Sequence, residues 1–279
     1  MLVSRAVGLI LSVALPSTAT AKEAAPLTAS SKWQADYGKT ECRLLRTFGE
    51  GADRVTLQLS QISPEPIVSV SLSAPRIPAT DTRRPGKALV ADQRVDITAQ
   101  GFAARSDTPA ILEIQPSREL WAALIREAKS GKPTQLSIEF LRDWNVHLNV
   151  GLVQVPLSAL NRCVDDLVRS WGLDPDEQRA RRTGPIPATS MGMWVKPDEF
   201  PREQNRKGVG GTVIVRLGVD AQGGITDCAV ARSGGDDVFQ DLTCRHVKER
   251  GRFKPAIGAD GKPIASFFTS RIDWVASGT

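Results

Sequence analysis

The stretch Gly211-Thr-Val-Ile-Val-Arg-Leu-Gly-Val219, followed by Asp220-Ala-Gln-Gly-Gly224 and Ile225, decides how the C-terminal part of this chain folds. Val213, Val215, Leu217 and Val219 recur at every second position, the period of a strand with one buried face. The glycines after Asp220 suit a tight turn. Ile225 to Ala231 then reads as the return strand, closed by Ser233-Gly234-Gly235. A helix is predicted from about Asp236 to Arg250, with aspartates in its first turn and Lys248 and Arg250 in its last, as the helix dipole favours. A final strand over Ile264–Val275 alternates Ile264, Phe268, Ile272 and Trp274 with Ser266 and Ser270. The expected unit is α+β: a three-stranded antiparallel sheet packed with one helix.

Upstream, residues 33–171 read as a separate α+β unit. Val55, Leu57 and Leu59 alternate, as do Val68, Val70 and Leu72, and further strands are expected near 94–98, 110–114, 135–140 and 146–153. Residues 75–91, rich in Pro, Arg and Gly, read as a long loop. One helix is expected after the N-cap Ser117 and before Gly131. A second, after Ser158, places Leu160, Cys163, Val164, Leu167, Val168 and Trp171 on one apolar face. Residues 22–32 read as a flexible start. Residues 172–189, with Arg179, Arg181 and Arg182 among prolines, read as a flexible linker with a solvated basic cluster.

Composition excludes several classes. The chain has 279 residues, 41% hydrophobic and 24% charged, which is normal for a globular protein and wrong for disorder. Lys+Arg 36 against Asp+Glu 31 leaves +5, but the charges are interleaved, so no nucleic-acid stripe forms. Two histidines, His147 and His246, leave little for His-rich metal chemistry, and no metal or cofactor is expected. No GxxxxGK[ST], HExxH, GxSxG or CxxC occurs, so no enzyme constellation is legible.

Residues 1–21, MLVSRAVGLILSVALPSTATA, place Arg5 before the short apolar run Ala6–Leu15 and end on Ala19-Thr20-Ala21. Ten helical residues span about 15 Å, half of the roughly 30 Å hydrocarbon core. A signal peptide cleaved after Ala21 is expected, with a short uncleaved anchor as the alternative. Four cysteines, Cys42, Cys163, Cys228 and Cys244, fit an oxidising compartment. They permit three pairings. The division into units suggests Cys42 with Cys163 and Cys228 with Cys244, and closing the latter loop stabilises by about 3 kcal/mol in the chain-entropy model.

Several ordered signatures carry a resemblance. They are Val213 to Ile225, Ala229-Val-Ala-Arg-Ser-Gly-Gly235, Arg252-Phe-Lys-Pro-Ala256 and Gly261-Lys-Pro263, preceded by Trp194 to Pro201. Over residues 190–279 the chain resembles the C-terminal domain of TonB-family energy transducers. Phe239 stands where that family usually carries an acidic residue. The resemblance implies a periplasmic protein without catalytic groups that binds extended segments of outer-membrane TonB-dependent receptors, or another envelope protein, by adding them as a strand to a sheet edge. The candidate edge is the last strand: Ile264, Ser266, Phe268, Ser270, Arg271, Ile272 and Trp274. In that fold Cys228 on the return strand and Cys244 on the helix lie within bridging reach.

Full transducers carry a histidine in an N-terminal membrane helix and a long Pro/Lys/Glu-rich spacer. Here the first histidine is His147, and a folded unit takes the spacer's place. The expectation is therefore receptor binding linked to transport, with an envelope scaffold as the alternative. An uncleaved leader would instead anchor the chain at the inner membrane, facing the periplasm. Other polar features read as ordinary surface or packing: Asp165 and Asp166 as a solvated helix face, Gly208–Gly211 as a strand entry, and His246 as a packing residue. Asp143, Trp144 and His147 have no nucleophile beside them.

Overall fold

The structure, a computed structural model, describes residues 25–276 apart from 107 and 143. The expected leader, its cleavage point and Asp143 therefore lie outside the described residues. The fold is mixed α+β and mostly strand.

The first unit contains β1 (Gln34–Tyr37), β2 (Cys42–Phe48), β3 (Val55–Gln61), β4 (Val68–Ser73), β5 (Arg84–Val90), β6 (Gln93–Phe102), β7 (Ile111–Ser117), α1 (Arg118–Ser130), β8 (Thr134–Phe140), β9 (Trp144–Gly151) and α2 (Gln154–Ser170). The nine strands make one sheet in the order β1-β2-β3-β4-β7-β6-β5-β8-β9, and every neighbouring pair is antiparallel. One face, with Leu44, Leu57, Leu72, Leu112 and Ile138, packs with α1 and α2 into a single core. Ser117 caps α1 by accepting from the Leu120 N–H at 3.1 Å, and Gly131 ends it at φ 66°.

Two expectations fail here for tertiary reasons. The predicted loop 75–91 contains β5, a strand hydrogen-bonded on both sides. Its local pattern is weak because only Ala88 and Val90 are buried in the core. A Cβ on Gly86 would stand 2.7 Å from the Glu139 carbonyl oxygen, so glycine marks a close approach of β8 rather than a turn. The expected flexible start is also ordered over residues 27–30. Leu27 exchanges backbone hydrogen bonds with His147 and Asn149 of β9, while Thr28 accepts from Gly49 beside β2. The sheet thus curls until one short segment bridges strands from its two ends, which satisfies main-chain groups an open edge would expose.

Residues 172–189 are likewise packed rather than free. Asp174 caps α3 (Pro175–Ala180) by accepting from the Asp176 and Glu177 N–H groups. Gln178 is buried, and its amide donates to the Ala265 carbonyl at 3.0 Å. β10 (Ile186–Pro187) pairs with β13 (Phe253–Lys254). The basic cluster is not wholly solvated. Arg181 pairs with Glu65 and lies 4.9 Å over the Phe267 ring, and Arg179 pairs with Asp165. Asp166, the other half of the expected solvated pair, is exposed beside Arg169.

The C-terminal elements are α4 (Arg202–Arg206), β11 (Gly211–Val219), β12 (Ile225–Gly234), α5 (Val238–Arg250), the short pair β14 (Ala256–Ile257) and β15 (Pro263–Ile264), and β16 (Ser266–Trp274). β12, β11 and β16 form an antiparallel sheet in that order. Val213, Val215, Leu217 and Val219 face a core with Trp194, Phe239 and Trp274. The expected strand entry at Gly208–Gly211 has a further reason for its glycine. A Cβ on Gly211 would come within 2.6 Å of the Phe239 ring.

Disulfides join Cys42 of β2 to Cys163 of α2 and Cys228 of β12 to Cys244 of α5, with Cα separations of 5.9 and 5.7 Å. Each therefore staples a sheet to the helix packed on it.

Glu199 ties the lead-in of this unit to the end of α5. Arg250 donates to both of its carboxylate oxygens and, at 3.0 Å, to the Trp194 carbonyl, while the Lys196 N–H donates to Glu199 at 2.9 Å. The Arg250 hydrogen bonds, opposed by partial burial and helped by Lys196 and by the charges of His246 and Arg250, push its pKa down from 4.5 to about 2. A depressed carboxylate contributes stability that is present above its unfolded pKa and lost as pH falls through the folded one. Thermal unfolding between pH 5 and pH 2 should therefore show a steep loss, and Glu199→Gln should flatten it. Equal slopes in both proteins would remove Glu199 as a cause.

Candidate functional site

β16 forms because residues 266–274 alternate: Phe268, Ile272 and Trp274 point to the core of the small sheet, and Thr269 and Arg271 point away. Its register on β11 is unbroken, from Gly211 opposite Trp274 to Val219 opposite Ser266. Among the described residues, the main chain of β16 makes backbone hydrogen bonds with β11 alone. Its other side is a sheet edge, a row of N–H and C=O groups able to pair with an added strand.

The opposite edge, β12, meets the first unit. The Thr40 hydroxyl donates to the Ala231 carbonyl at 3.2 Å, and Arg232 pairs with the Glu41 carboxylate. Glu41 is 2% exposed, and Arg43 holds its second oxygen at 2.9 Å. A buried carboxylate is costly unless paired, and here one arginine from each sheet neutralises it. Both outer strands of the small sheet bond main chain to β11 alone; they differ in that the first unit meets β12 at Ala231 and Arg232.

The seven residues expected at the edge divide by role. Ile264 lies outside β16, in β15 opposite Ala256. Ser266 is buried and donates to Gln178 Oε1 at 2.6 Å. Phe268 packs against Phe253 and Trp194. Ser270 is half-buried beside the Met191 sulfur, and Ile272 lies against the core. Trp274 is buried and donates its Nε1 hydrogen to the Thr243 hydroxyl at 2.9 Å. Arg271 is exposed, bonding Asp273 at 2.9 and 3.0 Å and Thr212 at 3.1 Å. Most of these side chains therefore hold the strand in place, and its outward main chain is what remains available.

Sequence reasoning missed the surroundings of this edge. Thr269, Ser270 and Arg271 line a cavity of about 610 Å³ whose far wall is the polar face of the nine-stranded sheet. Phe267, on the outward face, is 2% exposed because Trp171 at the end of α2 covers it, with ring centroids 5.3 Å apart. Arg216 lies 4.6 Å over the other partner, Trp171. The sole hint in the sequence was an aromatic at an odd position in a strand whose core face is even. His147, on β9, bonds the Ser137 hydroxyl at 2.8 Å and does not line this cavity. His246 is buried beside Glu199, Glu249 and Arg250, as a packing residue would be.

The small unit is thus a three-stranded antiparallel sheet with one helix on its inner face and an outer strand, β16, whose far side has no main-chain partner among the described residues. Residues 196–275 match the family model of the Gram-negative bacterial TonB protein C-terminal. The match ties this segment to TonB-like, transport-related proteins of the cell envelope. No curated protein and no solved structure matches the chain. Among the described residues, no helix is long and apolar enough to cross a membrane.

Proposed function

We propose that the chain is an exported TonB-like protein, cleaved after Ala21 and working in the periplasm. In this reading residues 33–171 and 190–279 are its two folded units, joined by 172–189. The second unit binds extended segments of outer-membrane receptors by strand addition to β16, and so takes part in TonB-dependent transport. One observation carries this: the strand left open in the small sheet lies inside the segment that matches the TonB C-terminal family. Strand addition needs only main-chain partners and a few side-chain pockets, so the function requires no catalytic group.

A second reading, an envelope scaffold that holds other partner strands, draws on the docking of β12 to the first unit, which makes the small sheet part of a larger body. Synthetic TonB-box peptides from the receptors of the same bacterium test both, with the full chain as binder and fluorescence anisotropy as readout. Each peptide is made in two forms, N-methylated at odd or at even amides. Strand addition predicts that one form loses about 100-fold in affinity and the other keeps its own, because only alternate amides face the edge. Losing three or four hydrogen bonds of about 0.5–1.5 kcal/mol each accounts for that factor. Equal affinities of the two forms would refute strand addition, and binding of other envelope proteins with no receptor-peptide affinity would favour the scaffold.

A further inference from the structure

The sheet of the first unit has a polar face that the core does not use, and this face stands opposite β16. Its rungs run across strands: Arg43, Ser60 and Ser69 are paired in sequence through β2, β3 and β4, and Gln58, Ser71, Glu113 and Gln100 through β3, β4, β7 and β6. Small serines at the centre leave room, and the resulting groove of about 610 Å³ is within the range of enclosed ligand sites.

The charges along the groove are not balanced. Arg43 and Arg232 share Glu41, and Arg118 lies 3.7 Å from Glu65, which also holds Arg181. Arg83 has no hydrogen bond or ion pair with any described residue, is exposed, and lines the groove together with Arg271. The charges of both arginines act on Asp273. Burial raises its pKa, but hydrogen bonds from Arg271 and Thr212 and the charges of Arg271 and Arg83 outweigh that and hold it low. Arg271 is hydrogen-bonded to Asp273, whereas Arg83 acts on that carboxylate by its charge alone and keeps its N–H donors for a ligand. Glu113 is the one carboxylate of the lining without a described ion pair, and it sits on the floor, on β7 opposite Ser71 of β4.

We propose that the nine-stranded sheet is the second wall of the peptide site, and that Arg83, with Arg271, selects an extended segment carrying an acidic side chain. The inference rests on strand addition at β16: the edge binds the segment's main chain, while the floor meets the side chains that point away from the small sheet's core. Extended peptides place alternate side chains on one face, so one position of the segment comes under Arg83. Charge at the rim of such a site acts mainly on selectivity and encounter.

The test uses the full chain and the tightest of the synthetic TonB-box peptides, each position in turn changed to Glu, Gln or Lys. In the wild-type protein one position should favour Glu over Lys by about 10-fold. Arg83→Glu, at an exposed residue, should invert that preference at the same position, and Arg83→Gln should abolish it, with near-UV circular dichroism checking the fold. An identical scan in wild type and Arg83→Glu would overturn the second wall while leaving strand addition intact. Absence of binding by every peptide, or indifference to the N-methylation pattern, would overturn strand addition and this inference together. A chain that dimerises at working concentration and thereby excludes the peptide would assign the groove to a second copy and overturn it as well.

Discussion

Replacing Cys42 and Cys163 together with alanine should cost the first unit about 5 kcal/mol. The bond joins residues 121 apart in sequence, and chain-entropy loss scales with the logarithm of the closed loop. It removes more freedom from the unfolded chain than the 16-residue separation of Cys228 and Cys244, for which the same relation gives about 3 kcal/mol. Both first-unit cysteines are buried at the seam between β2 and α2, so their loss also slackens the contact that seats α2 on the sheet. The measurement is urea unfolding of the full chain, followed by hydrogen exchange of amides in β2, β3 and β4. A loss below about 1 kcal/mol, or a larger loss from the Cys228 and Cys244 pair, would show that the unfolded chain is not the source of the stabilisation. The pairwise form of the variant matters, because a single substitution leaves a buried free thiol beside the new side chain.

The next largest effect concerns the seam between the two sheets. Phe267→Ala should destabilise the protein by about 3 kcal/mol, the usual scale for removing a buried phenyl ring. Phe267 lies on the outward face of β16, where an isolated small sheet would leave it in water. It is buried only because Trp171 and Arg181 cover it. The loss should therefore be coupled to Trp171. In a double-mutant cycle with Trp171→Ala, the two losses should fall short of additivity by about 1 kcal/mol, the worth of a well-placed aromatic pair. Additive losses, within about 0.5 kcal/mol, would mean that the sheets do not rest on each other through these rings. Such a result would also weaken the case for a fixed groove, since its two walls are held at this seam and at the Glu41–Arg232 pair.

These two seams explain why a module that in outline needs only three strands and a helix here sits against a larger sheet. Arg181 and Arg216 supply cation–π contacts on Phe267 and Trp171, and Gln178 fills its hydrogen bonds with Ala265 and Ser266. The groove beside β16 follows from that docking. Without it, β16 would face open solvent, and the serine-lined face of the first sheet would be ordinary surface.

Much of the local structure was legible in residue order. The alternation of Val213, Val215, Leu217 and Val219 specified β11 and its buried face, and the signatures around it located the family match. Ser117 and Gly131 marked both ends of α1, and the apolar face from Leu160 to Val168 put Cys163 inside, against the core that also buries Cys42. Such features are local: a strand's period or a helix cap depends on residues within a few positions of one another. The strand β5, the bridging segment at Leu27 and Thr28, the docking of residues 172–189 and the diversion of Ile264 into β15 were not legible. Each depends on a partner far along the chain, as Arg232 depends on Glu41, 191 positions away, and Arg181 on Glu65, 116 away. A serine or glutamine on a polar strand face reads the same whether it meets water or a second sheet. Only the folded chain decides which, because burial of those faces is set by the packing of one sheet on another and not by the order of residues within either.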